Sequence, residues 1–397
     1  MLETVFWITS LLVVWPWIAY PLVLHAARRR PVSGGAGGED GSSRDGGRAP
    51  VPSEPAVTLI VSAFNEEAVI GRRLDNARAL AVPGSSLEIL VVCDASTDRT
   101  AAIVEAHAAE DVRVRLVRMP DRGGKALGLN RAVPTARGDI VVFTDANAMY
   151  EPNALVKLLE PFADPDVGYT VGSALYCEDE VEAVNFSEGL YWRYELWIKR
   201  LESDFHSVVG GDGAIYAIRR ELYRPLTDID ISDFVNPLQI VAAGYRGVFV
   251  PEARSYETGT GQFFDEFRRK RRIVNRSWGA VRRHFELFSW RCHATFLFML
   301  ISHKVVRWFS TGFVAVALAT SAALAAVRGG GLYAWLFAAI ALSVALALIG
   351  WWLDRTGRAM PKPIYVLYYF YLVGVASLLG ILDELRGVRR AVWTPIR

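Results

Sequence analysis

The chain opens on a hydrophobic run. From Thr4 to Ala27 nearly every position is apolar, long enough to cross a hydrocarbon layer of roughly 30 Å at about 1.5 Å per residue. Trp7, Trp15 and Trp17 suit a membrane helix with interfacial anchors, and Pro16 and Pro21 are tolerated there. Glu3 precedes the run, and the basic triplet Arg28, Arg29, Arg30 follows it. That polarity favours an uncleaved anchor over residues 1–27, with its N-terminus outside and the next domain in the cytoplasm, over a cleaved signal peptide. Residues 28–55 are rich in Gly, Ser, Pro and charge without apolar period and read as a flexible linker.

From residue 56 the pattern changes to short apolar bursts alternating with amphipathic stretches. Val57–Ala63, Leu87–Cys93, Val112–Met119 and Ile140–Thr144 predict strands. Glu66–Leu80, Asp98–Ala109 and Lys125–Thr135 predict the helices between them. Such a succession implies an α/β domain over 56–260, with a largely parallel, doubly wound sheet covered on both faces. Glu180–Ser203 reads as a long helix crowded with Phe186, Tyr191, Trp192, Tyr194 and Trp197. These rings suit either sugar stacking or packing against the sheet and a membrane surface.

Residues 261–309 mix aromatic and basic positions and predict amphipathic helices lying at an interface. Residues 310–385 hold three further apolar runs, near Thr311–Val327, Leu332–Leu353 and Ile364–Leu382, read as transmembrane helices. Arg355, Arg358 and Lys362 put the loop between the last two in the cytoplasm. Four spans then carry the basic tail 386–397 outside, whereas its Arg386, Arg389 and Arg390 argue for the inside.

Composition agrees with a membrane protein. Of 397 residues, 52% are hydrophobic, and a net charge of +2 gives no electrostatic case for nucleic acid. Cys93, Cys177 and Cys292 are far apart and offer neither a disulfide framework nor metal-ligand spacing.

The chemistry gathers where strands end. Ile140–Thr144 runs into Asp145, Ala146, Asn147, at the carboxyl edge where open α/β sheets bind ligands. Two residues apart in extended chain, Asp145 and Asn147 present two hard oxygens to one cation, Mg²⁺ or Mn²⁺, which would hold phosphates. The plainer reading is that Asp145 caps the helix after Pro152. Asp94 can accept hydrogen bonds from a base or ribose, while Thr97 or Asp98 can simply cap a helix. Gly123-Gly124-Lys125 lets backbone and one cation approach a phosphate, a weak signal alone.

Seven segments in order carry a resemblance: Ser62–Glu67, Cys93–Thr100, Arg122–Ala132, Gly138–Ala148, Gly210–Arg220, Ser232–Arg246 and Arg268–Trp278. Together they resemble the membrane-embedded family 2 inverting glycosyltransferases, such as the chitooligosaccharide, hyaluronan, cellulose and poly-N-acetylglucosamine synthases. The resemblance implies a GT-A nucleotide-sugar (Rossmann-like) fold. It implies that Asn65, Glu66 and Asp94 line the uridine pocket of a UDP-sugar and that Lys125 and Arg272 lie near its diphosphate. Asp145 and Asn147 stand for the Asp-x-Asp metal motif, with one charge fewer. Gly211, Asp212 and Gly213 match the loop under the acceptor sugar, and Asp233 matches the general base, a position where an N-cap is the plain alternative. The Gln-x-x-Arg-Trp motif of processive synthases is only partly kept: Arg269 stands for Gln, Arg272 for Arg and Ile273 for Trp. Arg271 competes with Arg272. Asp228 and Asp230 read as solvated loop acids.

The resemblance thus implies a metal-dependent transferase at the cytosolic membrane face of a bacterial-type cell membrane. It would move sugar from a UDP-sugar to a glycan or lipid-linked acceptor, polymerising and exporting the product with or without accessory export subunits. A single transfer to a lipid carrier is the alternative, favoured by the departures at Arg269 and Ile273. A catalytically inactive nucleotide-binding regulator is expected to have lost Asp145 or Asp233, and a transporter to carry charged midplane residues.

Overall fold

The computed structural model describes residues 1–27, 55–82, 84, 86–176, 183–257, 263–288 and 290–388. Almost all of the expected linker, including Arg28–Arg30, lies outside them, as do Cys177, the side chains of Phe186 and Cys292, and the tail from 389 onward.

In chain order the elements are α1 (Leu2–Val14), α2 (Tyr20–Ala27), β1 (Val57–Ala63), α3 (Ile70–Arg78), β2 (Leu87–Cys93), α4 (Thr100–Glu110), β3 (Val114–Arg118), α5 (Gly124–Ala132), β4 (Ile140–Asp145), β5 (Met149–Tyr150) and α6 (Ala154–Leu159). They continue with β6 (Val167–Tyr176), α7 (Ala183–Phe205), β7 (Tyr216–Arg219), α8 (Ser232–Ala242), β8 (Arg246–Glu257), α9 (Phe263–His284), α10 (Trp290–Leu300) and α11 (Val306–Trp308). Three long helices close the described chain: α12 (Ser310–Arg328), α13 (Leu332–Arg355) and α14 (Lys362–Leu385).

The strands form one eight-stranded sheet in the order β3-β2-β1-β4-β7-β6-β8-β5. The half from β3 to β4 is parallel throughout. β1, β2 and β4 are buried on both faces, in keeping with their Val-, Ile- and Leu-rich sequences, while the edge strand β3 is only partly buried. Beyond β4 the pairing is mixed: β7 is antiparallel to β4 and β6, β6 is parallel to β8, and β5 is antiparallel to β8. The domain is therefore built on one mixed, mostly parallel sheet. One apolar cluster, with Leu59, Val61, Ile89 and Leu155, covers one face. The other, with Ile60, Phe143, Tyr216 and Leu238, continues to Tyr20 and Leu24 of α2 and Phe296 of α10.

A π-turn, Trp15–Ala19, joins α1 and α2, with Pro16 inside it. Pro21 has no N–H to give the carbonyl one turn before it. That carbonyl, on Trp17, instead accepts the Tyr194 hydroxyl of α7 at 2.7 Å, so the freed backbone group is satisfied by a neighbouring helix. Buried charge then docks this region onto the domain. His303 sits between Glu202 (Nδ1 to Oε1, 2.6 Å) and Glu195 (Nε2 to Oε1, 2.9 Å). Tyr20 donates to Glu202 at 2.7 Å, and Lys304 and Arg307 each reach Glu195 at 2.6 Å. Each carboxylate is met by hydrogen-bonded donors, which burial of charge demands.

Four helical stretches are long and apolar enough to cross a membrane: Leu2–Ala27, Ser310–Arg328, Leu332–Arg355 and Lys362–Leu385. Their settings differ. α1 runs antiparallel to α12, joined at one end by Arg328 to Glu3 at 2.7 Å and midway by Phe6 against Ala317 and Leu324. In α13 only Ala347 and Gly350 are buried. α14 instead lies alongside α9 in the same direction. Phe263 packs at a tilt against Tyr365, Glu266 accepts Tyr369 at 3.0 Å, Asn275 donates to the Gly380 carbonyl at 3.1 Å, and Arg282 pairs with Glu384 at 2.8 Å.

Candidate active site

The carboxyl ends of β1, β2 and β4 bring the sequence-singled loops together. Asn65, held at φ 53°, follows β1. Its Oδ1 accepts the Thr97 backbone N–H at 2.8 Å and its own N–H donates to Ser96 Oγ at 3.0 Å. The Glu66 N–H donates to Thr100 Oγ1 at 2.8 Å. Arg122 lies over the Phe64 ring at 3.7 Å. Asp94, buried at the end of β2, accepts Gly123 N–H at 2.8 Å and Gly124 N–H at 2.9 Å on its two oxygens. It thereby fixes the Gly-Gly turn at the start of α5, where Gly124 needs φ 80°. What the structure gives Asp94 is this loop-shaping role, in place of the base or ribose contact expected of it from the sequence.

Lys125 follows that turn and reaches across the sheet edge. Its Nζ contacts Asp145 Oδ1 at 2.5 Å and the Gly213 carbonyl at 3.1 Å. Burial disfavours the ammonium, but Asp145, with Asp233 and Glu257, outweighs that and raises its pKa. A β-carbon on Gly213 would lie 3.4 Å from Asp145 Oδ2, 3.6 Å from Asp233 Oδ2 and 3.6 Å from Lys125 Nζ. Both acids therefore face one small space over Gly213.

The loop Gly211–Ala214 is held from four directions. Gly211 N–H donates to the Asp233 carbonyl at 2.5 Å, Lys199 of α7 pairs with Asp212 at 3.2 Å, and Lys125 holds Gly213. Tyr150 OH donates to the Ala214 carbonyl at 2.9 Å. Tyr150 is itself clamped by α3: Asn76 bonds its backbone N–H and C=O, both at 2.9 Å, and the buried Arg73 lies over its ring at 4.7 Å.

Asp233 is the second residue of α8, which begins without a side-chain cap bond. The cap reading of Asp233 accordingly has no support here. Burial raises its pKa, and Asp212 and Asp145 push the same way against Lys125. Glu257, at the end of β8, escaped the sequence reading. Burial, then Asp145 and Asp212, raise it to about 8. Its strand carried no motif, so only the fold brings it near Asp145.

On α9, Arg272 faces the site. Burial lowers its pKa to about 10, and Asp145 and Asp233 act on it in the opposite sense. Arg271 is turned away and gives both guanidinium nitrogens to Asp383 of α14, at 2.8 and 2.7 Å. Arg269 pairs with Glu266 at 2.6 Å. Asp228 is exposed as expected, but Asp230 is not a solvated acid. It is 1% exposed and bonded by Arg283 at 2.7 Å and the Thr227 N–H at 2.8 Å. Burial would raise its pKa, but those bonds and His284 hold it well below the usual carboxylate range.

The donors fit a divalent ion only in part. Asp145 supplies a carboxylate with its outer oxygen toward the cleft, and Asn147 an exposed amide. Among the described residues no group of three or more His, Cys, Asp or Glu forms a cage. One carboxylate and an amide suit an ion completed by substrate phosphates, the usual Mg²⁺ arrangement.

Sheet order and the loops gathered at the sheet's carboxyl edge thus define an α/β domain with a charged cleft where open α/β sheets place their ligands. Residues 58–227 match the family model described as Glycosyl transferase family 2, and the chain carries a domain of that family with a GT-A-like fold. It is similar to β-monoglucosyldiacylglycerol synthase of Synechocystis sp., at 38% identity over 136 residues, 33% of this chain and 27% of that one. A probable glycosyltransferase, YdaM of Bacillus subtilis, is 28% identical over 223 residues, 51% of this chain and 50% of that one. Of the first curated relatives it matches, the chain spans about a quarter of the length. The mannosyltransferase PcManGT from Pyrobaculum calidifontis, solved with GDP-Man and Mn²⁺, superposes with a TM-score of 0.66 at 26% identity, covering 95% of this chain and 99% of that one.

Proposed function

We propose that this chain is an inverting glycosyltransferase that moves one sugar from a nucleoside-diphosphate sugar to a hydroxyl of a lipid-linked acceptor at a membrane face. The observation that carries the reading is the shared space over Gly213, which both Asp145 and Asp233 reach. Lys125 and Arg272 supply positive charge for the donor diphosphate. A divalent ion held by Asp145 and Asn147 would neutralise charge growing on the leaving phosphate oxygens. Asp233 takes the proton of the acceptor hydroxyl as its oxygen attacks the anomeric carbon and the bond to the diphosphate breaks, a contribution of typically about 10²- to 10⁴-fold. Burial makes Asp233 a stronger base than a solvated aspartate. The mannosyltransferase bound to GDP-Man and Mn²⁺ supports a nucleotide sugar and a divalent ion, and the diacylglycerol named in a relative supports a lipid acceptor. Arg269 and Ile273, in place of the Gln and Trp of processive synthases, favour single transfer over polymerisation.

We further infer that α1–α2, α12 and α13 cross the membrane and that α14 rests on its surface. α9 carries Asp265, Glu266, Arg268, Arg269, Lys270, Arg271 and Arg272, and so charged a helix cannot follow α14 into hydrocarbon. Three crossings return the C-terminus to the face of the catalytic domain, where its arginines are expected, with both in the cytoplasm.

The test is diphosphate release from a panel of UDP- and GDP-sugars by the full chain in nanodiscs, with and without Mn²⁺, followed by product sizing. Metal-dependent release with one donor and a product one sugar larger supports the reading. A polymeric product transfers it to the polysaccharide synthases, and no release with any donor removes the enzyme reading.

A further inference from the structure

Away from the cleft, a recess of about 360 Å³ opens between the loop preceding α8, the last turns of α9 and the C-terminal end of α14. Arg276, Arg282 and Arg283 line it, with Glu384 and Val388. Arg282 meets Glu384 at 2.8 Å and Arg283 meets the buried Asp230 at 2.7 Å. Arg276 is met by backbone carbonyls, those of Ile229 (2.9 Å) and Asp230. Three guanidinium charges thus face two carboxylates. Arg386, next to the lining Gly387, and Asp228, next to the lining Ile229, add one exposed charge of each sign. The buried Nε of Arg283 has no hydrogen-bond partner among the described residues. Such donors occur elsewhere among the described residues too, and it is the excess of guanidinium groups over carboxylates at the recess that leaves room for an acceptor.

The surroundings say what kind of acceptor. Leu382, Leu385 and Val388 of the α14 end, and Phe285 and Leu287 on the turn after α9, are exposed. A recess lined by three arginines and the exposed Val388, with Leu385, Phe285 and Leu287 exposed nearby in sequence beside one further acid, Glu286, at the end of a membrane-length helix, has the composition of a lipid headgroup site. A free phosphate would use the guanidinium groups but has no need of the exposed apolar side chains.

We propose that this recess binds the phosphodiester of an anionic phospholipid, its acyl chains lying over the exposed side chains of the α14 end. Occupancy would reach the transfer site through Arg276, which clamps the 228–230 loop immediately ahead of α8 and Asp233. The proposal rests on the reading that the chain lies at a membrane.

The full chain in detergent is titrated calorimetrically with soluble dihexanoyl-phosphatidylglycerol, dihexanoyl-phosphatidylcholine or inorganic phosphate. Phosphatidylglycerol is expected to bind about tenfold or more tightly than either other probe, and Arg282→Gln or Val388→Trp to weaken it about tenfold. Arg282 is half exposed at the rim, so its loss spares the buried Asp230 pair. Equal binding of the two lipids, phosphate binding as tight as phosphatidylglycerol (an adventitious anion only), or undiminished binding in both variants would overturn the proposal. The titration needs no bilayer. Resistance of the chain to carbonate extraction reports separately on the membrane reading.

Discussion

Asp145 and Asp233 converge on Gly213: a β-carbon there would lie 3.4 Å from one carboxylate and 3.6 Å from the other. Ordinary van der Waals spacing means Gly213→Ala should fold normally. The added methyl, however, would fill the space in which donor and acceptor meet, and displacements of about 1 Å can cost about 10²-fold in rate. We expect Gly213→Ala to melt within about 2 °C of the parent, as a small substitution without a clash does, while turnover falls about tenfold or more. An unchanged rate would show that the reacting atoms meet elsewhere.

Lys125 contacts Asp145 at 2.5 Å. In the donor complex the ammonium is assigned to the diphosphate. Hydrogen bonds to charged groups contribute about 1.5–3 kcal/mol, so Lys125→Met should raise the donor dissociation constant by roughly 10- to 150-fold. Calorimetry with the preferred nucleotide sugar checks this. A change under about twofold would detach Lys125 from the diphosphate.

Tyr150 ties the segment after Asp145 to the acceptor loop through the Ala214 carbonyl at 2.9 Å. Tyr150→Phe keeps the ring under Arg73 and removes the hydroxyl, which bonds the Ala214 carbonyl and also meets the Thr144 side chain, for about 0.5–1.5 kcal/mol of stability per bond. Because the Ala214 bond joins the acceptor loop to the donor side, the acceptor KM and kcat should change while donor affinity stays. Equal loss of donor affinity would make the tyrosine a general support of the fold.

The setting of α14 gives a sidedness test. A single cysteine placed at Arg386, in a chain with its own cysteines replaced, should react with an impermeant maleimide from the same side as one placed at the exposed Glu252. A cysteine at Gly330, between α12 and α13, should react only from the other side. Labelling of residues 386 and 252 from opposite sides would restore four crossings.

How much of this was legible in the chain depended on locality. β1 and β2 coincide residue for residue with their hydrophobic bursts, because a strand buried on both faces is predominantly apolar. The mixed half gave no such signal. β7 is four residues long, and β8 interleaves Arg246, Glu252 and Arg254 with its buried positions. Asp145 and Asp233 were readable from motifs. The Lys199–Asp212 pair, the Tyr150 strut and Glu257 were not, since each acts on a partner far off in sequence. The choice between Arg271 and Arg272 could not be made from two adjacent helical positions. It was made by Asp383, which draws Arg271 to α14.

The most direct measurement is Asp233→Asn, assayed for donor binding and for sugar transfer over a range of pH. In the parent enzyme the base must be ionised, and burial raises its pKa, so the rate should fall as pH drops through a value above the usual aspartate range of about 3.9. The variant should bind donor within about twofold of the parent, lose about 10²- to 10⁴-fold in turnover and show no such acid limb. Full turnover in Asp233→Asn, with the acid limb intact, would contradict the site described here.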